Sequence, residues 1–200
     1  MAGRSDVKVI TISDEVVADD DFIVTAARPN TTATLANASF ASGGARQLAV
    51  TTTGTSDNGK TTTITGTDTH GDSISEVITS TGSAEAVNGS KYFKTVTAVE
   101  CSAQYAGNIK VGSQATAAQA VFAGRVRLKG YSISSGSTAG TISFYNGTPE
   151  SGSSVFTART IGTDNTNISY NLPDEGVLFE DGMTVLYTVD TITQMTFFYA

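Results

Sequence analysis

The chain contains one histidine, His70, and one cysteine, Cys101. A Ser-His-Asp arrangement requires a scaffold that commits both ring nitrogens of the histidine to partners. His70 lies beside Gly71 in a predicted hairpin turn, which rarely provides such a scaffold. Zinc sites usually draw several ligands from histidine and cysteine together, and this chain has one of each. The sequence therefore predicts no catalytic residue and no metal ligand, and we expect a protein that is not an enzyme.

Acidic side chains could serve as metal ligands or as paired catalytic carboxylates. They form three clusters: Asp19, Asp20 and Asp21; Asp68 with Asp72; and Asp174, Glu175, Glu180 and Asp181. None matches the spacing of a calcium loop with its closing glutamate. A hydrolase with two carboxylates is disfavoured because the chain has no Trp to stack on a sugar. Solvated turns that keep sheet edges soluble are the favoured interpretation.

Two loops contain glycine in the manner of phosphate-binding loops. Residues 42–44 and 135–137 neither open a predicted helix nor precede the lysine that nucleotide loops require. We interpret both as turns, and we expect no cofactor. Cys101 has no second cysteine with which to form a disulfide, and we interpret it as a small buried hydrophobe in a strand.

The net charge of −7 is spread evenly along the 200 residues, with −4 before Ala123 and −3 from there on. Neither half carries a basic surface, so nucleic acid is not an expected partner. No stretch approaches the roughly 20 apolar residues needed to span a bilayer, and residues 1–6 lack the features of a signal peptide. We therefore expect a soluble protein that does not bind membranes.

Apolar residues make up 39% of the chain, and threonine, serine and glycine take much of the place that apolar residues usually have. Threonine favours strands because its branched Cβ fits a pleated surface, and charged residues are too few for long exposed helices. The strongest hairpin joins residues 61–67 and 73–79 through a turn at Gly71. Residues 91–101 are expected to form one strand, preceded by a turn at Asn88 and Gly89, with Phe93, Thr95, Thr97, Val99 and Cys101 facing the core.

The predicted fold is all-β, with two small antiparallel β-sandwich domains of immunoglobulin-like or jelly-roll-like type. The first spans residues 1–122 and includes an extended arm or irregular surface loop over residues 28–44. Residues 112–123 are expected to be a linker or one helical turn. The second domain spans residues 123–200, where strand starts recur every 8 to 12 residues or so between glycine-containing turns. Its last segment, residues 194–199, is expected to pair inside a sheet.

Several strand phrases resemble those of virion proteins from tailed bacteriophages, particularly marine and cyanobacterial phages. They are residues 64–79 (ITGTDTHGDSISEVIT), residues 91–99 (KYFKTVTAV) and residues 107–112 (GNIKVG). Residues 140–147 (GTISFYNG), residues 172–182 (LPDEGVLFEDG) and residues 197–199 (FFY) are similar to small β-sandwich modules in the same kind of protein. The resemblance extends over most of the chain from Gln47 onward.

The resemblance implies a structural role in the virion, most directly that of a capsid decoration or auxiliary head protein. Such proteins assemble in the host cytoplasm, form homo-oligomers and bind the major capsid protein or other virion proteins. One hypothesis is that residues 28–44 and the polar start of the chain, residues 1–6, order on docking, with the first domain anchoring and the second projecting. The alternative is a tail or fibre component that binds a host-surface glycan. Its candidate aromatic contacts are Tyr92, Tyr105, Tyr131 and Tyr145.

Overall fold

A computed structural model describes residues 7–13, 18–40, 43–114, 118–149, 152–163, 166–173, 175–188 and 192–200. These residues form sixteen strands: β1 (Lys8–Ser13), β2 (Val24–Ala27), β3 (Arg46–Thr52), β4 (Thr61–Thr67), β5 (Ser73–Thr79), β6 (Ala86–Phe93), β7 (Thr95–Cys101), β8 (Ile109–Ser113), β9 (Ala118–Phe122), β10 (Val126–Ser135), β11 (Thr141–Asn146), β12 (Phe156–Arg159), β13 (Asn167–Asn171), β14 (Val177–Phe179), β15 (Met183–Tyr187) and β16 (Ile192–Tyr199). The strands form antiparallel sheets that pack together, which confirms the predicted all-β sandwich fold. Over the ranges given, no helix has the length and apolar character needed to cross a bilayer.

The chain divides into two compact units, and their boundaries differ from the predicted domains at residues 1–122 and 123–200. The split unit comprises residues 1–16 and 120–200, and the inserted unit comprises residues 17–119. The difference arises because β1 pairs along its full length with β16, from Lys8 opposite Tyr199 to Ser13 opposite Gln194. Such pairing between distant segments cannot be recognised from the local pattern of either strand.

The inserted unit is a sandwich of two sheets. One sheet has the order β2-β8-β3-β6 and the other has the order β5-β4-β7. Both sheets contribute to one core, in which Leu48 and Val111 of the first meet Ile64 and Val99 of the second, all with fully buried side chains. Burying an aliphatic side chain of this size contributes about 1.5–3 kcal/mol, so this unit has its own apolar driving force for folding.

Residues 28–44, expected to form a loose arm, are instead part of the inserted unit as far as the structure describes them. Ala33 donates its backbone N–H to Val99 of β7 at 2.9 Å, and Ala36 donates to Ile23, next to β2, at 2.8 Å. Phe40 is only 4% exposed and stacks on Phe22, with ring centroids 5.1 Å apart. The segment therefore covers the outer edge of β7 and reaches the edge beside β2.

The expected single strand over residues 91–101 is two strands in different sheets, separated at Lys94. The pairing of β4 with β7 also shifts register, so Gly66 lies opposite Val96 and Thr65 opposite Ala98. Thr97 is therefore exposed and Val96 is buried, which reverses the predicted faces of those two residues. The expected turn at Asn88 and Gly89 lies within β6, and the expected linker over residues 112–123 contains β9.

The split unit is also a sandwich of two sheets. One has the order β1-β16-β10-β13, with β14 also paired to β10, and the other has the order β12-β11-β15-β9. Aromatic rings fill the space between the sheets: Phe144 stacks on Phe156 at 4.2 Å and meets Phe197 edge-on at 6.1 Å. The predicted strand near the chain end is β16, which lies between β1 and β10 rather than at an edge.

Candidate functional site

The single histidine lies in an exposed turn. His70 donates its backbone N–H to the Asp68 carboxylate at 2.8 Å, and Asp72 donates its backbone N–H to the same oxygen at 3.0 Å. Gly71 has a φ of 89°, the left-handed conformation that this turn requires. The Asp68 carboxylate therefore holds the β4–β5 turn.

The single cysteine is buried next to a tyrosine. This agrees with the prediction that Cys101 is a small buried hydrophobe in a strand. Cys101 is 6% exposed and packs against Tyr105 and Ile109. Burial raises the pKa of the Cys101 thiol, and a hydrogen bond with Thr62 lowers it in part. The hydroxyls of Thr62 and Tyr105 lie 2.9 Å apart in the same buried region. A thiol in these surroundings is held in its protonated, weakly nucleophilic form.

The acidic cluster of Asp19, Asp20 and Asp21 lies before β2, where its carboxylates approach within 4.8 Å of one another. Lys110 pairs with Asp20 at 3.1 Å. A hydrogen bond with Asp19 and burial raise the pKa of Asp21, while Lys110 lowers it. We therefore interpret this cluster as the acidic side of a surface ion pair with Lys110. Ser42 and Asp174, from the predicted loops and clusters, and residues 1–6 lie outside the described residues.

A buried carboxylate, that of Asp57, organises one end of the inserted unit. Its side chain is fully buried, and it accepts hydrogen bonds from the backbone N–H of Ala106 at 2.6 Å and from the Lys60 ammonium at 2.8 Å. Burial raises the pKa of Asp57, but the hydrogen bonds from Ala106 and Lys60 outweigh it and hold the pKa below its ordinary value. Lys60 also lies over the Tyr105 ring at 5.5 Å. This carboxylate therefore joins two loops, which is a structural role.

The outer face of the β5-β4-β7 sheet carries a lattice of hydroxyl groups. Its members come from alternate positions of the three strands and are Thr61, Thr63, Thr65, Thr67, Ser73, Ser75, Thr79, Thr95 and Thr97. The Thr67 and Thr95 hydroxyls lie 2.7 Å apart across β4 and β7. Thr97 donates its hydroxyl to the carbonyl of Thr65 at 3.1 Å. These hydroxyls are partly satisfied by one another, so the face is mostly polar, although Val77, which is 60% exposed, and the Glu100 carboxylate lie on the same side.

The tyrosines proposed for glycan contact are mostly packed inside the units. Tyr105 is fully buried, Tyr92 and Tyr131 are below 10% exposed, and Tyr145 is half-buried. Tyr170 was not predicted as a contact, although its ring is 59% exposed. The sequence places it in an alternating strand, but β13 lies at a sheet edge, which only the tertiary structure reveals.

Tyr170 forms part of an open groove of about 520 Å³ between β12 and β13 in the split unit. The groove is lined by Tyr131, Thr157, Ala158, Arg159, Ile161, Ile168 and Tyr170. Tyr131 and Tyr170 lie side by side, with ring centroids 5.8 Å apart, and Phe156 lies 6.1 Å from Tyr131. The groove is therefore the point where the aromatic core of the split unit reaches the surface.

One wall of this groove is the outer edge of β12, which pairs only with β11 among the described strands. Thr160 donates its backbone N–H to Gly140 at 3.0 Å, at the end of the β11–β12 ladder. Backbone groups in an antiparallel strand alternate between the two sides, so Ala158 also faces β11 while Thr157 and Arg159 face away from it. The backbone N–H and C=O groups of Thr157 and Arg159 therefore point out from the sheet edge.

Apolar side chains flank this edge. Val155 and Ile161, on either side of β12, are 46% and 58% exposed. Sheet edges in soluble proteins are usually protected by charge, by proline or by a covering segment. Within residues 155–161 the protection is limited to one charged side chain, that of Arg159. An unprotected edge of this kind offers its backbone donors and acceptors to a strand from another chain.

Comparisons of the chain with known proteins identify no relative. No protein-family model matches it, and neither a curated protein sequence nor a solved structure resembles it significantly.

Proposed function

We propose that this chain is a non-enzymatic structural protein of a tailed-bacteriophage virion, acting as a capsid decoration or auxiliary head protein. The observation that carries the proposal is a contrast between the two units. The inserted unit covers the outer edge of β7 and joins β5 to β6 through side chains, whereas the outer edge of β12 in the split unit pairs with no described strand and is flanked by apolar side chains. The phage assignment itself comes from the strand phrases in the sequence.

Contacts protect three outer strands of the inserted unit, β5, β6 and β7. Residues 31–39 lie along β7, and their contacts continue to the edge beside β2. Between β5 and β6, Glu76 accepts the backbone N–H of Ser90, and Lys91 donates its ammonium to the carbonyl of Ser75 at 2.8 Å. A unit with covered edges and a hydroxyl-rich face resists adding further strands, which suits the exposed part of a particle.

The split unit has the features of a contact surface. Its exposed apolar side chains include Val9 on β1 as well as those beside β12, and β1 pairs with β16 alone among the described strands. A decoration protein repeats one modest interface across a shell, so many weak contacts act together. In this proposal the major capsid protein or another virion protein is the partner, the chain forms homo-oligomers, and it is located in the virion.

The anchoring part therefore differs from the one hypothesised from sequence. Residues 28–44 were the expected docking arm, but the described backbone of that segment already bonds within the inserted unit, for example from Ala33 to Val99. Releasing it for docking would break those bonds and expose Phe40. We therefore assign attachment to the split unit and projection to the inserted unit.

The test is quantitative mass spectrometry of purified virions from the phage whose genome encodes the chain, with cryo-electron microscopy of the capsids. We expect copies in a fixed ratio to the major capsid subunit, with density for the split unit against the shell. Absence from the particle, or a handful of copies confined to the tail, would contradict the decoration role.

A tail or fibre component that binds a host-surface glycan is the second candidate, and one observation favours it. The exposed Tyr170 ring beside the Arg159 side chain offers a flat apolar surface next to a hydrogen-bond donor, the combination that sugars use. Glycan-array binding that is lost in Tyr170→Ala, combined with location in the tail, would favour this candidate over decoration.

A further inference from the structure

We propose that the groove between β12 and β13 binds an extended segment of a partner protein, which adds to the outer edge of β12, where no described strand is paired, as a new antiparallel or parallel strand. The segment carries apolar side chains at alternate positions and a carboxylate that reaches Arg159. The inference rests on the proposed function only for the source of the partner, another virion protein.

The backbone of β12 supplies the main-chain contacts. Thr157 and Arg159 direct their N–H and C=O groups away from β11, and both residues line the groove. These two residues therefore offer two donors and two acceptors in the spacing of a strand. Strand addition uses this array for affinity, independently of the partner's sequence.

The floor of the groove selects the side chains. Tyr131 and Ile168 lie on the inner face of the sheet opposite β12, and Tyr170 continues that face to the surface. Successive side chains of a bound strand point to opposite faces, so every second one meets this apolar floor. The segment is therefore apolar at alternate positions, and the positions between them face solvent.

The charge of the groove identifies the remaining feature. Arg159 is the charged residue among the seven that line the groove, and its side chain is exposed. No acidic residue belongs to that set of seven. A guanidinium can form two parallel hydrogen bonds with one carboxylate. A partner segment with Asp or Glu beside its apolar positions therefore matches the groove.

The experiment selects binders from a library of random nine-residue peptides on the immobilised full chain and measures their affinity by fluorescence anisotropy. We expect enriched peptides to alternate apolar and polar residues and to contain an acidic one. Tyr170→Ala and Thr157→Pro should each weaken binding about tenfold or more, since each removes a contact equivalent to one buried side chain or one hydrogen bond.

Thr157→Pro is the informative variant, because it removes an N–H that faces away from β11 and so leaves the β11–β12 ladder intact. Val77→Ala alters a 60% exposed residue of the inserted unit, outside the groove, and should bind normally as the matched control. If Thr157→Pro does not fold, two sets of peptides replace it, one N-methylated at the odd-numbered amides and the other at the even-numbered amides. Only the set whose methylated amides face β12 should lose binding.

Enriched peptides that bind Thr157→Pro, or that tolerate N-methylation at every position, would overturn the inference. So would a groove that binds saccharides through Tyr170 and no peptide. The peptide assay involves no particle, so its result is separate from the location of the chain in virions. Peptide binding by a chain absent from virions would leave this inference standing and remove the proposed function.

Discussion

The Glu76 carboxylate on β5 accepts the backbone N–H of Ser90 on β6 at 2.6 Å, although the two strands belong to different sheets. The same oxygen accepts the Ser90 hydroxyl at 2.9 Å, and the second oxygen accepts the backbone N–H of Lys91 at 3.3 Å. One side chain thus satisfies donors at an edge where no neighbouring strand is paired. A charged acceptor in this position both joins the sheets and discourages strand addition.

Replacing Glu76 by Ala should therefore destabilise the inserted unit by about 1.5–3 kcal/mol, the range for hydrogen bonds to a charged group. Urea unfolding monitored by circular dichroism measures this change. Glu100→Ala removes an exposed carboxylate from β7 and is the matched control, for which we expect little effect. Glu76→Ala should also aggregate more than the native protein, as measured by light scattering, because it uncovers the edge of β6. An unchanged unfolding midpoint would show that Glu76 does not join the sheets.

Asp57 should make the stability of the inserted unit sensitive to acid. Its pKa in the folded state is lowered, so its stabilising effect is complete above the unfolded pKa of about 4 and is lost as the pH falls through the folded value. Asp57→Asn should cost about 2 kcal/mol at pH 7, since it removes the charge that Lys60 and Ala106 bind.

The difference in unfolding free energy between the native protein and Asp57→Asn should narrow below pH 4 or so. Guanidinium titrations at several pH values measure it, with Asp72→Asn, in the exposed β4–β5 turn, as the control. A difference that stays constant from neutral to acid pH would contradict the assigned pKa direction.

Local features of the sequence were sufficient to predict the β4–β5 hairpin. Alternating threonines, a turn glycine with positive φ at Gly71 and the capping Asp68 all favour the same structure, and each acts within a few residues. The run of strands in residues 123–200 was also predicted, because glycine, asparagine and proline separate apolar alternations there. The all-β fold therefore followed from local propensity and pattern.

Features that depend on distant segments were not predicted. Nothing near Lys8–Ser13 indicates that this strand pairs with Ile192–Tyr199, and nothing near Lys94 marks a change of sheet. The groove was missed for the same reason: Tyr170 belongs to a regular strand, and its exposure results from the edge position of β13. Strand order, and with it the candidate site, is a property of the tertiary structure.

Gly66, the one glycine of β4, should not tolerate a side chain, because β7 passes very close to it. A Cβ added at Gly66 would lie 1.9 Å from the carbonyl oxygen of Thr95, and backbone cannot move aside as a flexible side chain does. Gly66→Ala should therefore destabilise the inserted unit by several kcal/mol or prevent its folding. Gly152→Ala, where nothing lies within 4 Å, should be neutral. Thermal melts of both variants make the comparison, and a Gly66→Ala melt like that of Gly152→Ala would contradict the close approach.

Ending the chain at Asp190, which removes β16, should unfold the split unit while the inserted unit remains folded. β16 separates β1 from β10, and its Met195 and Phe197 side chains are fully buried. Without it, both neighbouring strands lose a ladder of backbone hydrogen bonds and Phe144 loses an aromatic partner. Hydrogen exchange should then find protected amides only in the inserted unit, whose core contains no residue of β16. Phe197→Ala is the graded comparison and should cost about 3–5 kcal/mol while the strand stays paired. A shortened chain whose split unit still unfolds cooperatively would contradict this prediction, because it would mean that β10 and β13 hold the sheet together without β16.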